Sequence, residues 1–548
     1  MKKEEKFGTK LLLLLVMLAL SIVFVAPFVM HGIHMEDDLS FHIERIRELA
    51  QNIAHGNWNP HYYTYEFWKM GYPLGVFYPQ IMMLPFAGSA LMFKSVTSGI
   101  YFGIGFYTFS TLYVMYFVVN RILQQKTAAF WSAVLYTFSC YRMLDILARF
   151  AVGEFIAMVF VPLAFYGLYA VFTDQKRKWL YLPIGLALVL LSHLLTALMV
   201  ILIMALLVVI LLPFVHQRKI KLVHLFKSGL LFSGCSATFL VPFIHEMTYQ
   251  AIVTPKGNPI DQHIFTIKNI FFSTLINSNQ RFGQVSKWNS QVAAYYTIGL
   301  VLLIVALLGI FYFKRLKMVS KIALICGSVL YFSTYFGSIW TLLFDTPLRI
   351  VQFPYRFFSL ATFGLALVGG NLAELMINSV TRKWLVQAVL AIVIGGTWMW
   401  GAHTYYATAG PQQDFATIVP SWRTDQYTPK KAQPVIGQIV HHQARVDGHL
   451  IQLKSNEIQS VPDGFVFKNA EFKGAKRVIL PICNYAGLKV YQNGYEIPKL
   501  VTQNVEVEIQ KSKSTEIKVL YRTTWGTILG NLISIITWIF CLVFLFRH

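Results

Sequence analysis

The sequence predicts an all-α polytopic membrane protein of about twelve transmembrane helices, with a small extracytoplasmic β-rich domain placed before the last helix. Three observations predict it. The composition is 56% hydrophobic with a mean hydropathy of +0.53, and only 13% of residues are charged, against roughly a quarter in soluble domains. Apolar runs of about twenty residues recur along the chain, enough to cross a hydrocarbon core. The formal charge of +22 falls in short basic clusters between those runs, a pattern that sets topology by the positive-inside rule and argues against a nucleic-acid partner.

The first run, Leu11 to Met30, follows the basic flank Lys2-Lys3-Glu4-Glu5-Lys6. It is long enough to span, and no small-x-small cleavage site follows, so it reads as a retained helix with its N-terminus in the cytoplasm. Residues 31–98 then form a long outer loop. Asp38 to His55 reads as an amphipathic helix with Phe41, Ile43, Ile46, Leu49, Ala50 and Ile53 mostly on one face, stopped by Gly56. The aromatic stretches Trp58 to Tyr63 and Gly71 to Pro79 suit a membrane–water interface. Residues 80–93 are short and contain Pro85, as in an interfacial or re-entrant helix.

Further spans are expected near 100–121, 127–143 and 153–173. The run from Trp179 to Phe214 is too long for one crossing and splits near Ser192-His193. Later spans fall near 222–244, 292–313, 319–344, 357–377, 385–403 and 525–546. This layout puts the clusters Arg121/Lys126, Lys176-Arg177-Lys178, Arg218 to Lys221, Lys314 to Lys317, Arg382-Lys383 and Arg547-His548 on the cytoplasmic side, with both termini. The loop 245–291, with Glu246, Asp261, His263, Arg281 and Lys287, has no metal spacing and reads as solvated. Residues 404–523 differ in kind. Val505 to Ile509 and Glu516 to Leu520 alternate at period two, and Asn493-Gly494 separates two strand runs, a hairpin signal. The chain thus divides into a transmembrane region, 1–403, a β-rich unit, 404–523, and a final helix, 524–548. Cys140, Cys235, Cys326 and Cys541 lie in apolar runs as small core residues. Only Cys483 lies in the polar unit, so no internal disulfide forms there.

Four constellations carry candidate chemistry. Glu36, Asp37 and Asp38 either cap the following helix or supply a general base, with a neighbouring carboxylate available to a divalent cation. A like-charged neighbour raises a carboxyl pKa toward a useful range. His42 and Arg45 follow one and two turns beyond Asp38. Arg142, Asp145, Arg149 and Glu154 either pin a loop by ion pairing, or Arg149, with Arg142, grips a phosphate with its planar fork. His193 lies in an apolar run, where a polar group suggests a site or a helix-neighbour hydrogen bond. Arg349 and Arg356 flank Gln352-Phe353-Pro354-Tyr355, an interfacial anchor or a second phosphate clamp. All four fall on the outer face. No Walker loop, GxGxxG in strand context, HExxH or zinc pattern occurs. The substrate must therefore already have crossed the membrane, and a lipid-linked sugar fits.

Asp37-Asp38…His42…Arg45, Gly71-Tyr72-Pro73…Phe77-Tyr78-Pro79, Tyr141-Arg142…Asp145…Arg149…Gly153-Glu154, Ser192 to Thr196 and Gln352 to Phe357 together resemble a bacterial membrane family. It is usually labelled 6-pyruvoyl-tetrahydropterin synthase-related, although nothing here resembles pterin chemistry. That family is similar to the GT-C superfamily of integral membrane glycosyltransferases and lies close to the YfhO-like proteins, which Val478 to Tyr521 also resembles. The resemblance implies a GT-C-like fold and a polyprenyl-phosphate sugar donor. It also implies an acidic residue in the first outer loop as base or metal ligand, matched by Asp37 or Asp38. On this reading a sugar moves to a cell-envelope acceptor at the outer face of the bacterial cell membrane. Asp37 or Asp38 is the base; His42, Arg45, Arg142, Arg149, Glu154, His193, Arg349 and Arg356 bind substrate or its phosphate. The only cofactor it brings into view is a divalent cation, held by Asp37 and Asp38 if used. The rival readings are a transporter or flippase of lipid-linked precursors, and a non-catalytic assembly factor working through the β unit. A transporter favours midplane charges and internal repeats, and neither is evident in the sequence.

Overall fold

The computed structural model describes residues 2–34, 38–254, 274, 297–336, 340, 342–343, 346–408 and 426–546. A helical bundle forms from α1 (Lys2–His31), α2 (Leu39–Ala54), the single turn α3 (Leu74–Phe77), α4 (Leu84–Met92), α5 (Val96–Leu123), α6 (Lys126–Thr137), α7 (Cys140–Leu147) and α8 (Val152–Phe172). It continues through α9 (Tyr181–Ser192), α10 (Leu194–Leu211), α11 (Arg218–Cys235), α12 (Ala237–Tyr249), α13 (Leu300–Phe311), α14 (Met318–Ser333), α15 (Phe358–Asn378) and α16 (Lys383–Thr408). After the β strands comes α17 (Trp525–Phe546). Leu12, Ile22, Ile392 and Ile536 are each more than half exposed. Apolar helix faces of this kind are stable where lipid replaces water.

Among the described residues, seven helices are long and apolar enough to cross a membrane, or eight if α11 and α12, bent by 75°, form one span. The expected count of about twelve includes shorter segments, and the spans expected at 292–313 and 319–344 run partly outside the described residues. Leu300–Phe311 and Met318–Ser333 have 12 and 16 residues, fewer than the ~20 of a perpendicular span. The run expected at 127–143 breaks at Phe138, because Ser139 restarts a helix as N-cap, its Oγ accepting from the Arg142 N–H at 3.4 Å. The run expected at 222–244 bends at Ser236. The split near Ser192-His193 is present: His193 is extended, with φ −155° and ψ 115°. α8 and α9 approach closely at Gly167 and Gly185, where a Cβ would lie 2.0 Å from the Leu182 N and 2.4 Å from the Ala164 N.

The basic links share one end of the bundle. Asp174, just past α8, pairs with Lys221 at 2.7 Å. The Lys317 amino group, entering α14, donates to the Leu123 carbonyl at the end of α5. Phe117 of α5 stands 6.2 Å from Tyr166 of α8 and 5.8 Å from Tyr181 of α9, joining these ends.

The strands form two antiparallel five-stranded sheets, in orders β2-β1-β5-β9-β8 and β3-β4-β10-β6-β7. Their ranges are β1 Gln443–Val446, β2 His449–Gln452, β3 Ile458–Val461, β4 Gly464–Lys468, β5 Arg477–Cys483, β6 Leu488–Gln492, β7 Tyr495–Ile497, β8 Leu500–Val501, β9 Glu506–Gln510 and β10 Glu516–Tyr521. The Asn493-Gly494 turn joins β6 to β7 with both φ positive, at 50° and 82°, as a two-residue hairpin requires. Val478, Leu480 and Val507 of one sheet and Phe465, Val490 and Val519 of the other are buried in one core. Tyr62, Tyr63, Phe67, Tyr72 and Phe77 of the first loop join it.

Candidate functional site

Four stretches far apart in sequence meet at the end of the bundle opposite the basic links. The first begins at Asp38, which occupies the N-cap position of α2 with φ −109° and ψ 9° and makes no side-chain capping bond to the helix. Its backbone N–H donates to the Arg149 carbonyl at 3.0 Å, which ties the outer loop to the turn before α8. One turn on, His42 is buried, and Arg45 lies beneath the ring of Tyr78 with its guanidinium carbon 4.0 Å from the ring centroid. Arg45 Nη2 donates to the Pro79 carbonyl at 2.8 Å, and Nη1 lies 3.4 Å from His42 Nδ1.

The second stretch is α7 and the first turn of α8. Arg149 Nη1 donates to Asp145 Oδ1 at 2.7 Å and to Glu154 Oε2 at 3.1 Å. Tyr141 donates its hydroxyl to Glu154 Oε1 at 2.6 Å. The third stretch is the break after α9. His193 Nδ1 bonds the Thr196 hydroxyl at 2.8 Å and accepts from the Thr196 N–H at 3.3 Å, capping α10. Arg356, Glu154, Arg149 and Arg45 all act on this imidazole electrostatically. The fourth is the 3₁₀ turn Pro354–Phe357 entering α15. Arg356 Nε lies 3.7 Å from Glu154 Oε2, and its Nη1 donates to Gln352 Oε1 at 2.7 Å and to the Val351 carbonyl at 3.2 Å. The ring of Tyr355 sits 5.2 Å from the Arg149 guanidinium.

Glu154 is thus the hub, and there is no room beside it. A Cβ on Gly153 would stand 2.5 Å from the Tyr78 hydroxyl and 3.2 Å from His193 Cδ2. Among the described residues, the guanidinium groups of Arg149 and Arg356 meet the carboxylates of Asp145 and Glu154 at this hub. The planar fork of a guanidinium group matches phosphate oxygens, and two such forks stand side by side here.

Two expected phosphate ligands stand apart. Arg142 has no exposed surface; it donates to the Phe155 carbonyl at 2.8 Å and lies 3.9 Å from the Phe155 ring centroid. It is turned into the packing of α7 on α8, because a buried guanidinium takes the nearest acceptor and ring face. Arg349 is exposed, at the rim of a shallow hollow with Trp340, Leu348 and Phe353. Glu36 and Asp37 lie outside the described residues. Among those described, no group of three or more His, Cys, Asp or Glu could hold a metal ion; Asp145 and Glu154 are taken up by Arg149. Sequence reasoning left Tyr78, Tyr141 and Asp145 out of the site. The available signal was the place of Tyr141 and Asp145 in the motif that also carries Arg149 and Glu154, and of Tyr78 in the motif Phe77-Tyr78-Pro79.

The outer loop is held by carboxylates on α2. Glu48 Oε1 accepts from the Thr64 N–H at 2.8 Å and from Asn52 Nδ2 at 2.9 Å; Oε2 accepts from the Tyr65 and Glu66 N–H groups at 2.8 and 2.7 Å. Burial pushes the Glu48 carboxyl up to about 8, against the pull of those three backbone donors.

No protein-family model matches the chain, and no curated protein matches it. Among solved structures, it is similar to the arabinofuranosyltransferase AftD from mycobacteria, at 12% identity and a TM-score of 0.41, over 72% of this chain and 27% of that one. It is also similar to the oligosaccharyltransferase of Archaeoglobus fulgidus, at 11% identity and a TM-score of 0.36, over 78% of this chain and 57% of that one. The chain therefore spans about a quarter of the first and just over half of the second. At these values neither likeness bears on the residues of the site.

Proposed function

We propose that this chain is a membrane glycosyltransferase of the GT-C kind. It would move a sugar from a polyprenyl-phosphate carrier to a cell-envelope acceptor at the extracytoplasmic face. One observation carries the reading: Arg149, Glu154, His193 and Arg356, drawn from distant segments, converge on one charged cluster around Glu154, and the Asp38 backbone is tied to the Arg149 carbonyl beside it. The orientation rests on the basic links at the opposite end, which the positive-inside rule assigns to the cytoplasm. The same reading treats 1–403 as the transmembrane region, 404–523 as an outer β unit and 524–548 as the last helix.

In this mechanism the carboxylate of Asp38, or of Asp37 beside it in sequence, removes the proton of an acceptor hydroxyl as that oxygen attacks the anomeric carbon. The bond from that carbon to the phosphate oxygen breaks, its electron pair leaves with the polyprenyl phosphate, and the anomeric configuration inverts. Arg356, whose Nε stands 3.7 Å from Glu154, and Arg149 stabilise the charge growing on the phosphate. Glu154 holds both arginines in place. His193 stands beside this cluster, and Arg349 receives the carrier at the rim of the hollow it lines. No step requires a cation.

The test is transfer from polyprenyl-phosphate sugars in membranes, together with the sugar composition of envelope polymers. Asp38→Asn or Asp37→Asn is expected to lower transfer by about 10²-fold or more. Full transfer by both variants, each folded and inserted normally, rejects the assignment of the base.

A further inference from the structure

The first loop and the β unit line a second hollow, open to one side and away from the charged cluster, of about 250 Å³. Tyr65, Glu66, Trp68 and Lys69 line it from the loop, and His442, Ser455 and Ile458 from the β side. Its wall is unusual backbone. Phe67, Trp68 and Lys69 lie in the left-handed region with φ of 53°, 57° and 48°. Three such residues in succession, none of them glycine, are costly and persist only where surrounding structure enforces them. Here Glu44 Oε2 accepts from the Phe67 N–H at 3.0 Å, Glu48 gathers the three preceding N–H groups, and His442 Nε2 bonds the Trp68 carbonyl at 2.7 Å. The fold spends strain to present Trp68 and Lys69 at this opening.

What the opening offers is specific in kind. Tyr65 and Trp68 are half-buried aromatic rings, and Tyr65 is backed by His55 stacked 5.6 Å away. Glu66 supplies an acceptor, Lys69 a donor and Ser455 a hydroxyl. Among the lining groups charge is balanced, one carboxylate (Glu66) to one ammonium (Lys69), while Arg47, 3.9 Å from Glu66, is outside the lining. An anion finds no excess of donors, and a purely apolar ligand would strand the polar groups. A ring with C–H faces and hydroxyl edges satisfies both halves of the wall.

We propose that this cavity binds a neutral saccharide. Taking that saccharide as part of the acceptor chain rests on the transferase reading above. The placement suits it: α2 holds this wall through Glu44 and Glu48 and reaches the charged cluster through His42 and Arg45. The ring of Phe41 bridges the two, 5.9 Å from Phe67 and 6.0 Å from Tyr78.

The test is binding to the purified full chain in detergent, read by saturation-transfer NMR. The probes are neutral hexasaccharides of glucose, galactose, mannose or N-acetylglucosamine, with hexagalacturonate as an acidic comparison. At least one neutral probe is expected to bind with a Kd on the order of a millimolar or below, and Trp68→Ala to weaken it about tenfold. Lys69→Ala, at an exposed position, is expected to weaken it as well and guards against a Trp68 variant that fails to fold. Binding of no neutral probe, tighter binding of the acidic one, or unchanged binding in both variants overturns the proposal. Asp38→Asn is expected to keep saccharide binding. Binding is read without transfer, so failure of the catalytic reading and failure of this one are separate results.

Discussion

Glu154 receives Tyr141 and Arg149 by hydrogen bond and Arg356 by charge, so its neighbour Gly153 has the least freedom in the site. Gly153→Ala would drive a methyl into the Tyr78 hydroxyl, 2.5 Å from the ideal Cβ. Overpacking of this kind costs about 1–3 kcal/mol, and here it would be relieved by shifting Tyr78 off Arg45. Transfer is expected to fall at least tenfold in Gly153→Ala and to recover in part in the double variant with Tyr78→Phe, which removes the clashing atom. A double-mutant cycle in activity and melting temperature measures that coupling; additive losses count against it. Replacing Glu154 by Gln leaves Arg149 and Arg356 short of a countercharge, and a loss of about 3–5 kcal/mol of stability is expected in chemical unfolding. At this scale the sequence marked Arg149, Glu154, His193 and Arg356 as polar groups in apolar surroundings. It could not separate them from Arg142, whose contact with Phe155 depends on how α7 folds back on α8.

The helix α2 shows the same division at the next scale. Its extent was legible from the spacing of Phe41, Ile43, Ile46, Leu49 and Ile53 and from Gly56, and the helix runs Leu39–Ala54. What covers its polar face was not legible, and Glu44, Arg45 and Glu48 on it are buried. Periodicity records which residues are apolar, not whether the other side is covered. Burial raises the Glu48 carboxyl to about 8 from an ordinary 4.5. The folded state therefore holds this proton more tightly than the unfolded chain, and the sign follows: Glu48 favours folding below about 4.5, and that contribution is lost as pH rises toward 8. The stability of the native chain relative to Glu48→Gln, which does not titrate, is expected to decline across that window in melting curves taken at pH 5 through 8. A flat or rising difference contradicts it.

Over the whole molecule, the β unit is fastened to the first loop. Asp463, in the turn before β4, accepts from the His61 and Tyr62 N–H groups at 2.7 and 2.8 Å and from Asn57 Nδ2 at 2.8 Å. Glu246, near the end of α12, accepts from the Ala486 N–H at 2.9 Å. Asp463→Ala strands the N–H groups of the buried residues His61 and Tyr62, at a cost of about 1–3 kcal/mol. Faster hydrogen exchange is expected at His61 and Tyr62, with saccharide binding weakened and the exchange of α5 and α8 unchanged. Loosening spread evenly over the bundle would contradict this fastening.

The sequence by itself determined the apolar helices, the turn between β6 and β7 and the set of isolated polar residues worth watching, because hydropathy, periodicity and turn chemistry are properties of neighbouring residues. Only the tertiary structure decided which of those residues face one another. Asp38 meets Arg149, Glu154 meets Arg356, and Asp463 reaches back to Asn57. What a buried charge can do is fixed by the groups packed against it, and those come from parts of the chain that no local pattern connects.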